Sequence, residues 1–174
     1  PGILRRMRRP NSDLNTFKLI ENIRHAIPTI TLRTAMIVGY PGETEAEHNA
    51  MLEGIEALRF DRLGVFKYSQ EEDTPAAAMP DHIPEEVKEE RWQAVMSLQA
   101  EIHEEVNCMK IGKQCRVLVE GYDSDAEAYL ARSEAEAPEV DGIVYLESAS
   151  SLEPGAFLEA EITEVQGYDV FASC

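Results

Sequence analysis

Residues 36–44 have the sequence MIVGYPGET, in which an apolar run gives way to a loop that contains two glycines. The run belongs to a longer stretch, Leu32 to Val38, whose apolar and β-branched members are typical of a buried strand. Thr44 is followed three residues later by Glu47, and this spacing predicts a capping box at the start of a helix. The segment is therefore predicted to pass from strand to loop to helix.

Helical and strand patterns alternate on both sides of this segment. Upstream, a helix is predicted between the capping residues Asn11-Ser12-Asp13 and the helix-breaking Pro28. Downstream, Leu63 to Tyr68 is a second apolar strand, and a long helix is predicted from Pro84 to about Met109. Continuously apolar strands that alternate with helices are typical of a parallel β/α unit. Residues 1–110 are too few for a complete barrel or doubly wound sheet, so they predict part of an α/β domain.

The remainder of the chain, residues 111–174, loses the helical period and consists of short strand patterns separated by turn residues. About five short strands in so few residues predict a small, closed or nearly closed β-barrel of the OB-like kind. The predicted strands lie around residues 115–120, 128–131, 143–146, 157–165 and 168–171.

The charge of the chain is strongly negative and unevenly divided. The formal net charge is -17, from 33 acidic and 16 basic residues, and residues 111–174 alone hold 14 acidic and three basic residues, a net charge of -11. Such a surface argues against non-specific binding to nucleic acid or to an anionic membrane and favours a basic partner. Acidity also gives solubility by itself, so the charge alone leaves both interpretations open. No apolar run approaches the roughly 20 residues that span a bilayer, and we expect a soluble, cytoplasmic protein.

Common catalytic and metal-binding motifs are absent from the sequence. The four histidines form no HxxxH or HxH pair, and no GxSxG, GxGxxG or Walker A motif occurs. Cys108, Cys115 and Cys174 are too widely spaced for a CxxC site and are expected to be reduced thiols. Neither a metal ligand nor a catalytic residue is therefore predicted within this chain.

The segment from Val38 to Thr44 is the most specific feature of the first half of the chain. It follows a strand and precedes a helix, which is where β/α units bind ligands. Its glycines allow close approach of backbone to a ligand, Tyr40 offers an apolar face, and Glu43 is able to accept from a ligand amine or hydroxyl. A tight turn with a helix cap explains the same residues, and the sequence leaves the two interpretations even.

Three segments, in the same order and spacing, resemble the back portion of the radical-SAM methylthiotransferases: Arg6-Met7-Arg8-Arg9-Pro10, residues 36–44, and Phe66-Lys67-Tyr68-Ser69 with Thr74-Pro75-Ala76. The resemblance covers essentially the whole chain. It implies the end of an open β/α barrel in residues 1–110, followed by the small all-β domain called TRAM in residues 111–174. Asp73 departs from the family, which commonly has glycine before Thr-Pro-Ala. The family's CxxxCxxC motif and the three cysteines of its N-terminal domain are absent, so we expect a C-terminal fragment.

The family has two main branches, which modify either a tRNA adenosine or an aspartate of small-subunit ribosomal protein twelve. Residues 132–142 and Ser69-Gln70-Glu71-Glu72 resemble the ribosomal-protein branch. The acidic residues 111–174 agree, because a domain that binds RNA presents basic groups to the phosphates, whereas ribosomal proteins are basic. We therefore expect a basic small-subunit ribosomal protein, or the small subunit itself, as partner. A tRNA adenosine 2-methylthiotransferase and a non-catalytic docking module remain the alternatives.

The resemblance also implies the chemistry of the whole enzyme. A reduced cluster cleaves S-adenosylmethionine to a radical, which abstracts hydrogen from the aspartate β-carbon. A methylthio group is then delivered through a second cluster, with its methyl supplied by another S-adenosylmethionine. The two [4Fe-4S] clusters belong to the full-length protein, since their ligands are absent here. The implied S-adenosylmethionine site comprises Val38, Gly39, Tyr40, Pro41, Gly42, Glu43, Phe66, Tyr68 and Ser69, with Arg8 and Arg33 as weaker candidates for its carboxylate and a structural role favoured for Arg33.

Overall fold

The computed structural model describes residues 2–9 and 15–174. They divide into two compact units, residues 1–102 and 103–174, and the division falls within one long helix. The predicted domain boundary after residue 110 stays a prediction.

The first unit contains four helices and two strands among its described residues. Strands β1 and β2 pair in parallel, with Val38 opposite Lys67 at their carboxyl ends. The strand, loop and helix predicted around residues 36–44 are thereby confirmed. The elements are α1 (Gly2–Arg6), α2 (Thr16–Ala26), β1 (Arg33–Val38), α3 (Glu45–Leu58), β2 (Arg62–Lys67) and α4 (Glu85–Cys108), the last of which continues into the second unit.

The helix starts follow local side-chain chemistry. At α3, the Thr44 hydroxyl accepts from Glu47 N at 3.2 Å while the Glu47 carboxylate accepts from Thr44 N at 3.1 Å, which confirms the capping box. At α2, the N-cap is Asn15, whose side chain accepts from Lys18 N at 3.1 Å. The predicted caps Asn11-Ser12-Asp13 lie outside the described residues.

The second unit is a closed barrel of five strands, as predicted. The strand order is β3-β4-β5-β7-β6, and every pairing is antiparallel except that between β5 and β7. The strands are β3 (Gln114–Asp123), β4 (Ala128–Ser133), β5 (Val144–Glu147), β6 (Phe157–Gln166) and β7 (Asp169–Ser173). Alternate residues point inward and form an apolar core of Val117, Val119, Ala131, Val144, Leu146, Ala160, Ile162, Val170 and Ala172.

The barrel has bulges in its two long strands and one close approach between backbone segments. Register shifts interrupt β3 between Val119 and Gly121 and β6 between Ile162 and Glu164, and such bulges increase twist. Gly142 precedes β5 at a point where a Cβ would overlap the backbone carbonyl of Tyr168, so only glycine fits there.

Candidate functional site

The loop from Gly39 to Glu43 lies at the carboxyl end of β1, where the sequence predicts a site. Gly39 and Gly42 have φ of 73° and 75°, in the left-handed region that favours glycine. Tyr68 N donates to Val38 O at 2.9 Å, so strand pairing continues one residue beyond β2. The structure therefore brings Tyr68 beside the loop.

Glu43 is the anchor of this loop. Its side chain is fully buried, and one carboxylate oxygen accepts from Gly39 N at 2.9 Å. The other oxygen accepts from the Arg91 guanidinium of α4 at 2.9 Å, and Arg91 also donates to Glu43 O at 3.2 Å. Because both oxygens are engaged within the protein, the geometry favours a structural role for Glu43 over ligand binding.

His48 lies next to this ion pair but adds no charge to it. Its Nδ1 is 4.0 Å from the Glu43 carboxylate, and the residue is 4% exposed. Burial, together with the nearby Arg91 charge, lowers the pKa of His48 below its usual value. The neutral imidazole therefore leaves one buried carboxylate matched to one buried guanidinium.

Arg6 is a second arginine that contacts the loop, and it is not among the predicted site residues. Its guanidinium donates to the Glu47 carboxylate at 2.9 and 3.1 Å and to Gly42 O at 3.3 Å. This hydrogen bonding lowers the pKa of Glu47. Arg8 is exposed with φ of 52°, and Arg33 is exposed at the opposite end of β1 from the loop. Of the two predicted arginines, the structure does not bring Arg33 to the site.

Two tyrosines and a lysine close one side of the loop. The rings of Tyr40 and Tyr68 meet edge to face at 5.5 Å, and the buried Tyr40 hydroxyl donates to Arg6 O at 3.3 Å. Lys88 donates to Tyr68 O at 3.0 Å, and its aliphatic chain covers Gly39 so closely that a Cβ would overlap it. The Tyr68 hydroxyl oxygen is buried and has no hydrogen-bond partner among the described residues.

An accessible apolar strip runs along one face of the β1–β2 sheet. The register sets Ala35 opposite Gly64 and Ile37 opposite Phe66, so their side chains share this face. Phe66 is 61% exposed, and its ring lies close to Gly64. Val38, on the other face, is fully buried in the core. Phe66 of this strip is thus an accessible residue of the predicted site, while the side chains of Val38, Tyr40, Pro41 and Glu43 are buried.

The segment after β2 contacts the loop of the candidate site. Ser69 is exposed and donates to the Glu71 carboxylate at 3.0 Å. Asp73, at the position where the family commonly has glycine, adopts φ of 60°, so this residue takes the backbone conformation that glycine favours. Further along, Asp81 O accepts from Gly42 N at 2.7 Å and ties this loop to the candidate site.

No group of three or more potential metal ligands occurs within residues 2–9 and 15–174. The three cysteines are free thiols, and burial raises the pKa of Cys115. Over the same part of the chain, no helix combines the length and apolar character needed to cross a membrane.

Comparison with known proteins gives matches along the whole chain. The TRAM domain family profile matches residues 111–174, the region of the five-stranded barrel. The chain is 46% identical over 170 residues to the ribosomal protein uS12 methylthiotransferase RimO of Desulforudis audaxviator, covering 98% of this chain and 37% of the relative. The chain belongs to the RimO methylthiotransferase family.

Other RimO proteins match over the same region. Those of Roseiflexus castenholzii and Clostridioides difficile are each 44% identical, covering 98% and 97% of this chain and 36% and 38% of the relatives. The chain therefore spans little more than a third of the length of these RimO proteins. Its second unit contains the TRAM domain that the sequence predicts.

Proposed function

We propose that this chain is the C-terminal portion of a methylthiotransferase that modifies an aspartate of ribosomal protein uS12 in the cytoplasm. The observation that carries the proposal is 46% identity over 98% of the chain to a protein named for that activity. The relatives described above are all named for uS12, and none is named for tRNA. In this proposal, the first unit is the end of an open radical-SAM barrel.

The first unit contributes part of the S-adenosylmethionine site. Phe66 and the strip beside it offer an apolar surface for the adenosyl group. The buried Tyr68 hydroxyl has no hydrogen-bond partner among the described residues and would bond to a polar group of the cofactor. The backbone around Gly39 and Gly42 is held by Glu43, Arg91 and Arg6, which fixes the wall of the site. When bound, S-adenosylmethionine supplies the radical and the methyl group, and the chain's residues hold and orient it.

The described residues do not fit an iron-sulfur cluster. Cys108 and Cys174 are exposed, Cys115 lies on β3, and none belongs to a group of three potential ligands among the described residues. Cluster binding is therefore assigned to regions of the full-length protein outside this chain.

The TRAM domain is proposed to dock the basic ribosomal protein. Its net charge of -11 attracts a cationic partner and opposes the phosphates of RNA. Electrostatic complementarity of this kind speeds association and excludes wrong partners.

The proposal is tested with the full-length protein, reconstituted with its clusters under anaerobic conditions and incubated with a chemical reductant, inorganic sulfide, S-adenosylmethionine and either uS12 or unmodified tRNA. We expect mass spectrometry to find a methylthio group on a uS12 aspartate and none on tRNA adenosine. Modification of tRNA would assign the enzyme to the other branch, and modification of neither substrate would favour a docking module.

A matched pair of variants tests the cofactor surface. Phe66 and Phe157 are each 61% exposed, but only Phe66 lies on the strip of the first unit. Phe66→Ala is expected to raise the Kd for S-adenosylmethionine about tenfold, the effect of losing one aromatic contact, while Phe157→Ala leaves it unchanged. Equal Kd values for the two variants would remove Phe66 from the site.

A further inference from the structure

The barrel carries an open cavity of about 360 Å³ beside the β3–β4 turn. The walls combine two aromatic rings, one carboxylate and a run of serine hydroxyls, and no described lining residue is basic. A volume near the lower end of the range for small-ligand sites, about 300–1,000 Å³, admits a side chain rather than a folded segment. The lining residues are Tyr122, Glu127, Tyr129, Leu146 and the segment 148–151.

The two tyrosines are held in place by the fold. Tyr122 and Tyr129 are directly opposite each other on β3 and β4, and their rings meet edge to face at 5.0 Å. The Tyr129 hydroxyl accepts from Leu152 N at 3.1 Å, which fixes that ring against the segment after β5. Tyr122 remains 57% exposed, so its ring is available to a partner.

Glu127 lies in the β3–β4 turn, which side-chain hydrogen bonds stabilise. The Asp123 carboxylate accepts from Asp125 N at 2.8 Å and from Ala126 N at 3.2 Å, which holds the turn between the strands. Glu127 then adopts φ of 52° before β4 begins. The turn carries two further acidic side chains, Asp123 and Asp125, and no described lining residue is basic. The described surroundings of the cavity are therefore anionic.

A second cavity on the same barrel contains basic side chains, unlike the first. It measures about 260 Å³ and is lined by Arg116, Arg132 and Phe157, among others. There the Arg116 guanidinium already lies over the Phe157 ring at 4.7 Å, and Arg132 pairs with Glu120 at 2.6 Å. The aromatic ring of the second cavity thus has a cation from its own chain, whereas the tyrosines of the first have none among the described lining residues.

We propose that the cavity formed by Tyr122, Tyr129 and Glu127 receives an arginine side chain of the basic protein that docks on the TRAM domain. A guanidinium stacks on an aromatic face, pairs with a carboxylate in two parallel hydrogen bonds, and has further donors for hydroxyl groups. The cavity supplies all three kinds of partner, with serines 148, 150 and 151 as the hydroxyl acceptors. This inference rests on the proposed function and locates its docking site.

The test measures binding of the 174-residue chain to purified uS12 at constant salt, with matched variants. Tyr122→Ala and Glu127→Gln are each expected to raise the Kd about 3- to 30-fold, the range of cation–π and ion-pair contacts. Tyr122→Phe retains the ring and should bind as the parent does. Glu164→Gln removes one exposed charge of β6, which does not line the cavity, and should change the Kd less than twofold, the effect of a single distant surface charge.

A capped octapeptide of alternating arginine and glycine, compared with its lysine counterpart, separates the two proposals. Loss of arginine-peptide binding in Tyr122→Ala supports the cavity even if the parent chain fails to bind uS12, a failure that would count against the proposed docking alone. If the parent chain binds uS12 but Tyr122→Ala and Glu127→Gln bind equally well, the cavity assignment is overturned. Equal binding of the lysine peptide would overturn the choice of arginine.

Discussion

The interior of the first unit contains ionic groups, whereas the core of the barrel is apolar. Glu43, Arg91 and His48 are buried together at the end of β1, while the barrel core consists of aliphatic residues and, of the described acidic residues of the barrel, all but Glu136 are at least partly exposed. Buried charges are expensive and stabilise little by themselves, but they fix geometry when fully paired. This difference agrees with the proposal that the first unit shapes a cofactor site with its interior and that the barrel attracts a basic partner with its surface.

The largest effect is expected from breaking the buried ion pair. Arg91→Met leaves the Glu43 carboxylate buried without its cation and should lower the free energy of unfolding by about 3–5 kcal/mol in urea denaturation. The matched control is Arg132→Met in the barrel, whose partner Glu120 is exposed. That substitution should cost about 0–1 kcal/mol. Similar losses in the two variants would abolish the distinction between interior and surface charges.

Removing apolar volume tests the barrel. Leu146 is fully buried, so Leu146→Ala should lower the free energy of unfolding by about 2–5 kcal/mol through lost burial and a cavity. Val140→Ala, at a residue 72% exposed, should stay within about 0.5 kcal/mol. Chemical denaturation followed by circular dichroism measures both. A loss below 1 kcal/mol for Leu146→Ala would show that the apolar core is not what stabilises the barrel.

The two glycines of the candidate site provide an internal comparison. Both have positive φ, but a Cβ at Gly39 overlaps Lys88 whereas a Cβ at Gly42 meets nothing within 4 Å. Gly42→Ala should cost about 1–2 kcal/mol for backbone strain, and Gly39→Ala about 1–3 kcal/mol more because Lys88 must move. Thermal unfolding of both variants measures the two losses of stability. Equal losses for Gly39→Ala and Gly42→Ala would contradict the expectation.

The smallest effect is the pH dependence that His48 contributes. Because the pKa of His48 is lower in the folded chain, the unfolded chain binds the proton first as the pH falls below 6.5. This contribution to stability is therefore present above pH 6.5 and declines at lower pH. His48→Gln lacks the titrating group and should show a flatter pH profile of unfolding free energy between pH 7 and 5. Parallel profiles would mean that His48 titrates normally.

Local sequence patterns predicted most of the helices and strands, because helix caps and strand alternation depend on residues that are close in sequence. Thr44 and Glu47 predicted the start of α3, and turn residues at regular spacing predicted the barrel. Packing between distant residues was not predictable in this way. Arg91 contacts Glu43 across 48 residues of sequence, and Arg6 contacts Gly42 across 36, with no local signal that selects Arg6 over Arg8.

The first helix of the predicted β/α unit shows the same limit. A helix forms between the predicted limits, but α2 has no buried residue, and Phe17 and the C-cap residue Ile27 are 52% and 51% exposed. Periodicity identifies which residues share a helix face, whereas burial depends on what packs against that face.

The proposed docking of a basic protein, rather than RNA, on the acidic barrel is open to a direct binding measurement. The direct measurement is the Kd of the 174-residue chain for purified uS12 and, in parallel, for unmodified tRNA, each at two salt concentrations. We expect binding to uS12 that weakens as salt rises, and no retention of tRNA at either concentration. Specific binding to tRNA, or binding to uS12 that does not respond to salt, would contradict it.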